Sequence, residues 1–457
     1  MANVFIIVFF LFYLYALLYK PKIAAIIFFT LTGANVVIYI AGIQGLSVKA
    51  LTGALLFLRI IIDKDPDHNP SFFNSVVARY MMLFIFYTFL ISMAYDLFDL
   101  KLVNRYFLAF ITAYCGWYFF YKNKNHDLLK TSLVISAVIC LGDLVYTYAF
   151  FGSFPVQRVF MIITGVPGFT GTGAAGEEFL LNHNFYGFVC GACFVFLFND
   201  FLNSKTSNRA TTILLPVTFM GVIMSTSRSS LLVILLVAFF LMVKASGNRE
   251  QSRKAYKLIF ISLGCFFLCI FLIQSMNSLF DLESDFIDKF TARLIDEPIA
   301  VINKHLGYKY DAQNLDSMEW REEASSLAYS VYMDLPFYQQ IFGLGYGSFL
   351  ERNFGNNGLN AHNGILLMLI ETGLLGLILY FSMMINVIWQ SIRLKNISPL
   401  FSCLLFILLF AVGHNNELTS PVTFLFIAAL AAENEYLSVK ETEEEADTEI
   451  SSLLHEY

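Results

Sequence analysis

Long apolar blocks separated by short polar stretches make up most of the chain. A helix that crosses a bilayer needs about 20 mostly apolar residues. Thirteen runs approach that length, near 3–19, 23–43, 47–62, 76–96, 104–121, 129–151, 183–201, 211–225, 229–244, 257–274, 363–389, 398–413 and 420–436. Several are short, and the run at 47–62 carries Arg59. The pattern predicts an all-α polytopic membrane protein with about 12–13 transmembrane helices. Two longer polar intervals divide it into an N-terminal transmembrane bundle (1–274), a large loop (275–361), C-terminal transmembrane helices (362–436) and a tail (437–457). The first run lacks a small-residue cleavage site and is followed by Lys20-Pro21-Lys22, so it is expected to be a retained span and not a removed signal peptide.

Composition agrees with the pattern: 57% of residues are apolar, 17% aromatic and 14% charged, against roughly 25% charged in a soluble domain. Charge placement then supplies an orientation. If loops alternate sides, one set holds 18 basic residues, among them the cluster Lys244, Arg249, Arg253, Lys254 and Lys257. The other set, leaving out the long loop, holds five: Lys49, Lys101, Arg105, Arg158 and Arg228. The positive-inside rule makes the first set cytoplasmic, which puts the 275–361 loop and the Ser225–Arg228 turn outside. The tail from Glu433 onward has nine acidic residues and one lysine, and is expected to be a disordered cytoplasmic end.

Two kinds of chemistry are disfavoured. All seven cysteines fall within apolar runs, where a thiol packs as a small hydrophobe; the Cys190-x-x-Cys193 spacing lacks the second ligand pair of a zinc site. No Gly-rich loop precedes a Lys-Ser/Thr pair, so neither nucleotide hydrolysis nor a soluble nucleotide-binding domain is indicated; no cofactor and no nucleic acid partner is expected.

The informative polar groups lie at the membrane boundary. Arg228 sits between two apolar runs in Ser225-Thr-Ser-Arg-Ser-Ser230; a guanidinium there is costly unless it snorkels to headgroups or meets an anion, and its planar fork suits phosphate. Arg321 stands in Met318-Glu-Trp-Arg-Glu-Glu323, at the start of an amphipathic stretch running to Tyr332. The loop around it carries 13 acids and six bases, so a solvated ion pair is the plain alternative. Gly343, Gly345 and Gly347 permit tight turns and close backbone approach, weak grounds for phosphate binding. His362 and Asn363 stand where the loop re-enters the membrane, followed by Glu371-Thr-Gly373-Leu-Leu-Gly376. Imidazole titrates near neutrality and can take a proton from an attacking hydroxyl, although a helix-capping histidine is the commoner case. His183-Asn184 and His414-Asn415 are similar pairs, and three such histidines make a metal site only if their helices converge.

The order of these features resembles the O-antigen ligase and O-antigen polymerase superfamily over roughly residues 165–390: a hydroxyl-rich Ser-Arg between spans, a long outer loop with an arginine about 20 residues before Gly-x-Gly, then His-Asn and Glu-x-Gly-x-x-Gly opening the next span. That resemblance implies a GT-C-like glycosyltransferase of the all-helical membrane type in the bacterial inner membrane. It would use a glycan on undecaprenyl pyrophosphate as donor at the periplasmic face, without metal or nucleotide, and invert the anomeric centre in a single displacement. It assigns Arg228 and Arg321 to the donor pyrophosphate and His362 to the general base. Asn363, Gly343, Gly345, Glu371, His183 and Asn184 are supporting candidates; His183 fits least well, because that position is often acidic or Pro in the family. A lipid A core acceptor (ligase) and a second lipid-linked glycan (polymerase) are not resolved by these motifs. The ligase is favoured because the Arg, His-Asn and Gly pattern is relatively complete. A lipid-linked oligosaccharide flippase or other transporter would explain the spans equally well, but such proteins show internal repeats and midplane charges, whereas here polar residues cluster at the outer boundary.

Overall fold

The computed structural model describes residues 2–34, 47–63, 72–123, 126–151, 183–204, 209–280, 296–308, 316–351, 361, 363–414 and 418–455. Over their described residues the thirteen apolar runs fall on helices: α1 (Ala2–Tyr19), α2 (Pro21–Gly33), which meets the first half of the 23–43 run while residues 35–43 lie outside the described residues, α3 (Val48–Ile62), α4 (Val76–Ala94), α5 (Leu100–Asn123), α6 (Asp127–Phe151), α7 (His183–Asn203), α8 (Arg209–Met224), α9 (Arg228–Ala245), α10 (Arg249–Phe280), and then α15 (Gly364–Arg393), α16 (Pro399–Ala411) and α17 (Pro421–His455). The large loop contributes four helices among the described residues, α11 (Glu297–Leu306), α12 (Asp316–Asp334), α13 (Phe337–Phe342) and α14 (Ser348–Glu351). Six helices are long and apolar enough to cross a membrane by length and composition: α4, α6, α7, α9, α15 and the first part of α17. Shorter apolar helices run over Ile7–Tyr19, Pro21–Gly33, Arg209–Met224 and Pro399–Ala411. This is an all-α polytopic membrane protein.

Burial separates the centre of the bundle from its rim. Across its span α7 is 89% buried, whereas α9 is 33% buried, and the outward face of α9 presents Leu232, Leu235, Leu236 and Phe239. An exposed apolar face of that length is unstable in water and suits lipid. The core around α7 is aromatic: Phe188, Phe406 and Phe410 stack with centroids 5.1–5.9 Å apart. The cysteines pack as the sequence predicts; Cys115, Cys140, Cys190, Cys193 and Cys403 are all buried as free thiols, and Cys403 Sγ faces the Ala192 carbonyl at 3.3 Å.

The helices alternate direction, and polar contacts sort onto two ends. At one end Lys130 Nζ, on the first turn of α6, meets Asp200 at the end of α7 at 2.6 Å. Lys254 Nζ, near the start of α10, donates to the Ser204 carbonyl at 2.8 Å, and His126 and Ser398 both reach Glu433, at 2.7 and 2.6 Å. This is the end rich in lysine and arginine. The opposite end gathers the starts of α5, α7, α9, α15 and α17 with the large loop.

Beyond its apolar half the last helix continues through acidic residues. α17 runs unbroken to His455. Glutamate, alanine and lysine are good helix formers, the apolar first half has already met the cost of nucleation, and Lys440 pairs with Glu444 four residues on at 3.3 Å. Acidity alone does not stop a helix that is already under way.

Candidate active site

The turn between α8 and α9 is built from its hydroxyls. Ser225 Oγ donates to the Val222 carbonyl at 2.6 Å, and Thr226 adopts the left-handed region at φ 52°. Ser227 then caps α9, accepting from the Ser230 amide, and its Oγ donates to Asn184 Oδ1 at 3.0 Å. Gly187 lets α7 lie against this turn: a Cβ there would stand 2.5 Å from Ser230 Oγ and 2.6 Å from Ser227 Cβ. Asn184, a supporting candidate from the sequence, thus braces the turn that presents Arg228.

Arg228 is the first residue of α9, a poor place for a cation, because the helix dipole puts partial positive charge there. Its side chain is 16% exposed and pairs, Nη1 to Oε2, with Glu297 at the start of α11. Beside it, Ser229 Oγ is 2.7 Å from His414 Nε2, and the His414 ring lies flat on Phe410 with centroids 4.2 Å apart. A cation, hydroxyls and an imidazole therefore share this mouth of the bundle. Two residues past Asn184 on α7, the buried Tyr186 OH donates to Asp143 Oδ2 on α6.

A second set of contacts joins the loop to α15. That helix breaks at Gly373, with φ 65° and ψ −176°, which frees carbonyls one turn back. Leu344 and Gly345 amides donate to the Ile370 and Glu371 carbonyls at 3.0 and 2.9 Å, and the Gly347 amide donates to Glu371 Oε1 at 2.9 Å. Tyr87 OH closes the joint on the Phe342 and Thr372 carbonyls at 2.6 and 3.1 Å. Any Cβ on Gly343 would lie 2.5 Å from the Glu371 oxygen and the Gly373 nitrogen. The Gly-x-Gly-x-Gly and Glu-x-Gly motifs therefore fit one another. Gly343, Gly345 and Glu371 form a structural joint that sets the loop's return to the membrane.

Arg105 adds a further tie to the second set. From the first turns of α5 its Nη1 donates to Tyr346 OH at 2.5 Å and its Nη2 to Thr419 Oγ1 at 2.6 Å. Thr419 and His414 lie in the same connection between α16 and α17. Arg105 thus ties the start of α17 to Tyr346, within the glycine joint.

The remaining sequence candidates are placed as follows. Arg321 lies on α12, one turn before Ser325, whose Oγ donates to the Ala361 carbonyl at 3.1 Å; the Arg321 side chain is outside what the structure describes. His362 lies outside the described residues. Asn363 accepts from the Ile365 and Leu366 amides at 3.0 and 3.1 Å and caps α15. His183 heads α7, with its side chain outside the description. Among the described residues no group of three His, Cys, Asp or Glu side chains is arranged to hold a metal ion. Glu297 escaped sequence reasoning, because one acid among thirteen carries no mark; Pro298 behind it, a helix-start signal, was the available cue. Arg105 was visible only as one of five bases on the sparse side.

Residues 213–381, from α8 into α15, match the family model described as O-antigen ligase. The match covers part of the chain and supports its kinship with the O-antigen ligase and polymerase superfamily. A comparison with curated proteins found no match. The O-antigen ligase match includes Arg228, Glu297, Arg321, the glycine joint, His362 and Glu371, and leaves His183, Asn184 and Arg105 outside it. The match supports, in general terms, a glycosyltransferase-like ligase or polymerase activity on lipid-linked glycans in a membrane setting.

Proposed function

We propose that the protein transfers a glycan from undecaprenyl pyrophosphate to an acceptor hydroxyl at the periplasmic face of the inner membrane, with lipid A core as acceptor. The observation that carries this reading is Arg228: a guanidinium set at a helix N-terminus, largely withdrawn from water, with a carboxylate against it. An anion is required there, and a pyrophosphate satisfies the planar fork with two bonds where lysine would offer a point charge.

The chemistry needs few parts. The acceptor hydroxyl oxygen attacks the anomeric carbon while His362 takes its proton; the bond from that carbon to the pyrophosphate oxygen breaks, and the charge leaves on undecaprenyl pyrophosphate. Arg228 and Arg321 stabilise the negative charge that grows on the leaving group, the usual source of the largest rate effect in transfers of this kind. One face is attacked as the other departs, so the anomeric centre inverts. No metal enters the scheme. The basic end of the bundle, with Lys130 and Lys254, is the cytoplasmic side by the positive-inside rule, which leaves the Arg228 mouth outside.

The surface glycan of a deletion strain tests the acceptor. Loss of all polymer from lipid A fits the ligase. A single capped repeat on lipid A would replace the ligase reading with the polymerase one.

A further inference from the structure

The large loop leaves apolar side chains uncovered where it meets the bundle. On α13 Phe337 is 76% exposed and Tyr338 57%, and Phe342 is exposed at the end of the same helix; Tyr329 and Met333, four residues apart on α12, are exposed before them. The depth of α13 is fixed. Its last carbonyl, that of Phe342, accepts from Tyr87 OH on α4, and the chain just beyond it is bonded to α15 at Ile370 and Glu371. The exposed apolar strip of α15 begins at Leu374 and runs through Ile378 and Ile385 to Trp389 and Ile392. On α4 the matching strip continues past Tyr87, toward the Arg228 end, to Leu90 and Met93. α13 therefore lies beside the apolar belt and not above it. The backbone there is also fitted to lipid. Gln340 Nε2 donates to the Met333 and Leu335 carbonyls at 3.1 and 3.0 Å, and Tyr332 OH donates to the Gln340 carbonyl at 3.2 Å. Carbonyls in water need no such help, whereas carbonyls in a bilayer must find partners within the protein.

α11 repeats the pattern. Its first residue, Glu297, is paired with Arg228 at the head of α9, and the exposed apolar strip of α9 starts one turn further along at Leu232. From that anchor Ile299, Ile302 and Leu306 follow at the i, i+3, i+7 spacing of a single helix face and are all exposed, whereas Ala300 is buried. An uncovered stripe of that kind, begun at the edge of a lipid-facing strip, suits a helix lying in the membrane interface. We infer that α11 and α13 rest in the bilayer leaflet on the Arg228 side, with Ile302 and Phe337 among its acyl chains, so that the large loop is seated on the membrane. The aromatic side chains of α13 stand at the depth where such rings collect at membrane boundaries. The seating does not depend on the glycan transfer proposed above.

Nitroxide labels on Phe337→Cys, Ile302→Cys and Glu322→Cys test this in the full-length protein, reconstituted in vesicles of phosphatidylethanolamine and phosphatidylglycerol. The unsubstituted protein, labelled in parallel, supplies the background of its native thiols. Power saturation of the paramagnetic resonance signal reads access by oxygen, which concentrates in lipid, and by a neutral nickel chelate, which stays in water. Labels on Phe337→Cys and Ile302→Cys should respond to oxygen and lose the nickel effect that Glu322→Cys, an exposed acid of α12, retains. All three side chains are exposed, so the core is untouched; Tyr338→Cys takes the place of Phe337→Cys if that variant fails to reconstitute. Nickel access at Phe337→Cys or Ile302→Cys equal to that at Glu322→Cys overturns the seating. Shielding from both reagents overturns it as well, because protein, from this chain or a second copy, would then cover the stripe.

Discussion

Arg228 and Glu297 hold each other, and this makes a sharper claim than either residue does alone. A pyrophosphate that takes Arg228 must displace the carboxylate. Glu297→Gln is therefore expected to lower the KM for the lipid-linked donor by up to about tenfold, roughly 1.4 kcal/mol, with kcat little changed. A raised KM or a collapsed kcat in steady-state assays would show instead that Glu297 organises the loop. Arg228→Lys and Arg321→Lys should each lose most transfer at equal membrane abundance, since each lost charge-assisted bond is worth about 1.5–3 kcal/mol. Near-normal turnover in both removes the clamp. His362→Gln should abolish transfer while donor binding persists, because a general base contributes about 10² to 10⁴ in rate and little to ground-state affinity. A base must be unprotonated, so the wild-type rate should fall as pH drops through the imidazole range, near 6.5 in model compounds. A His362→Gln enzyme with the wild-type rate and pH profile would make the residue structural.

At the scale of elements, the glycine motifs change meaning. Spacing alone suggested tight turns with a weak case for phosphate; what it could not reveal is that Gly343 and Gly373, thirty residues apart, occupy each other's missing side-chain volume. Such pairing depends on a helix breaking at Gly373, and a glycine inside an apolar run looks like any other packing residue. Gly343→Ala should destabilise the protein more than Gly347→Ala. Both positions have positive φ, at 81° and 77°, but only Gly343 meets backbone; left-handed strain alone costs about 1–2 kcal/mol. Thermal unfolding in detergent checks the order, and equal losses would mean that the close approach is not a constraint. The spans themselves were legible because an apolar run of helix length has one stable form in lipid. Where α17 ends is less legible: a composition rich in Glu445 and its acidic neighbours describes solvation and is silent on how far the preceding helix runs on. Arg105 and Glu297 could not be found in the sequence, since both act through partners more than 65 positions away.

For the whole molecule, orientation decides which face performs the chemistry. The alternation of helix ends and the gathering of Lys130 and Lys254 opposite Arg228 follow from the structure; the side they face rests on charge bias. In a variant otherwise free of cysteine, Asn357→Cys should react with a membrane-impermeant thiol reagent in outer-membrane-permeabilised cells, and Ser246→Cys should not. Labelling at Ser246→Cys alone would invert the arrangement. The most direct test of the central claim is a reconstituted reaction: purified protein, a glycan on undecaprenyl pyrophosphate and lipid A core, with chelator present, followed by mass spectrometry of both lipids. One glycan should appear on the core for each undecaprenyl pyrophosphate released, with inverted anomeric configuration, and neither product should form with the Arg228→Lys protein. Release that appears only with a second lipid-linked glycan would make the acceptor wrong. Release from neither acceptor, or release that stops with chelator and returns with a divalent ion, would contradict the metal-free transfer described here.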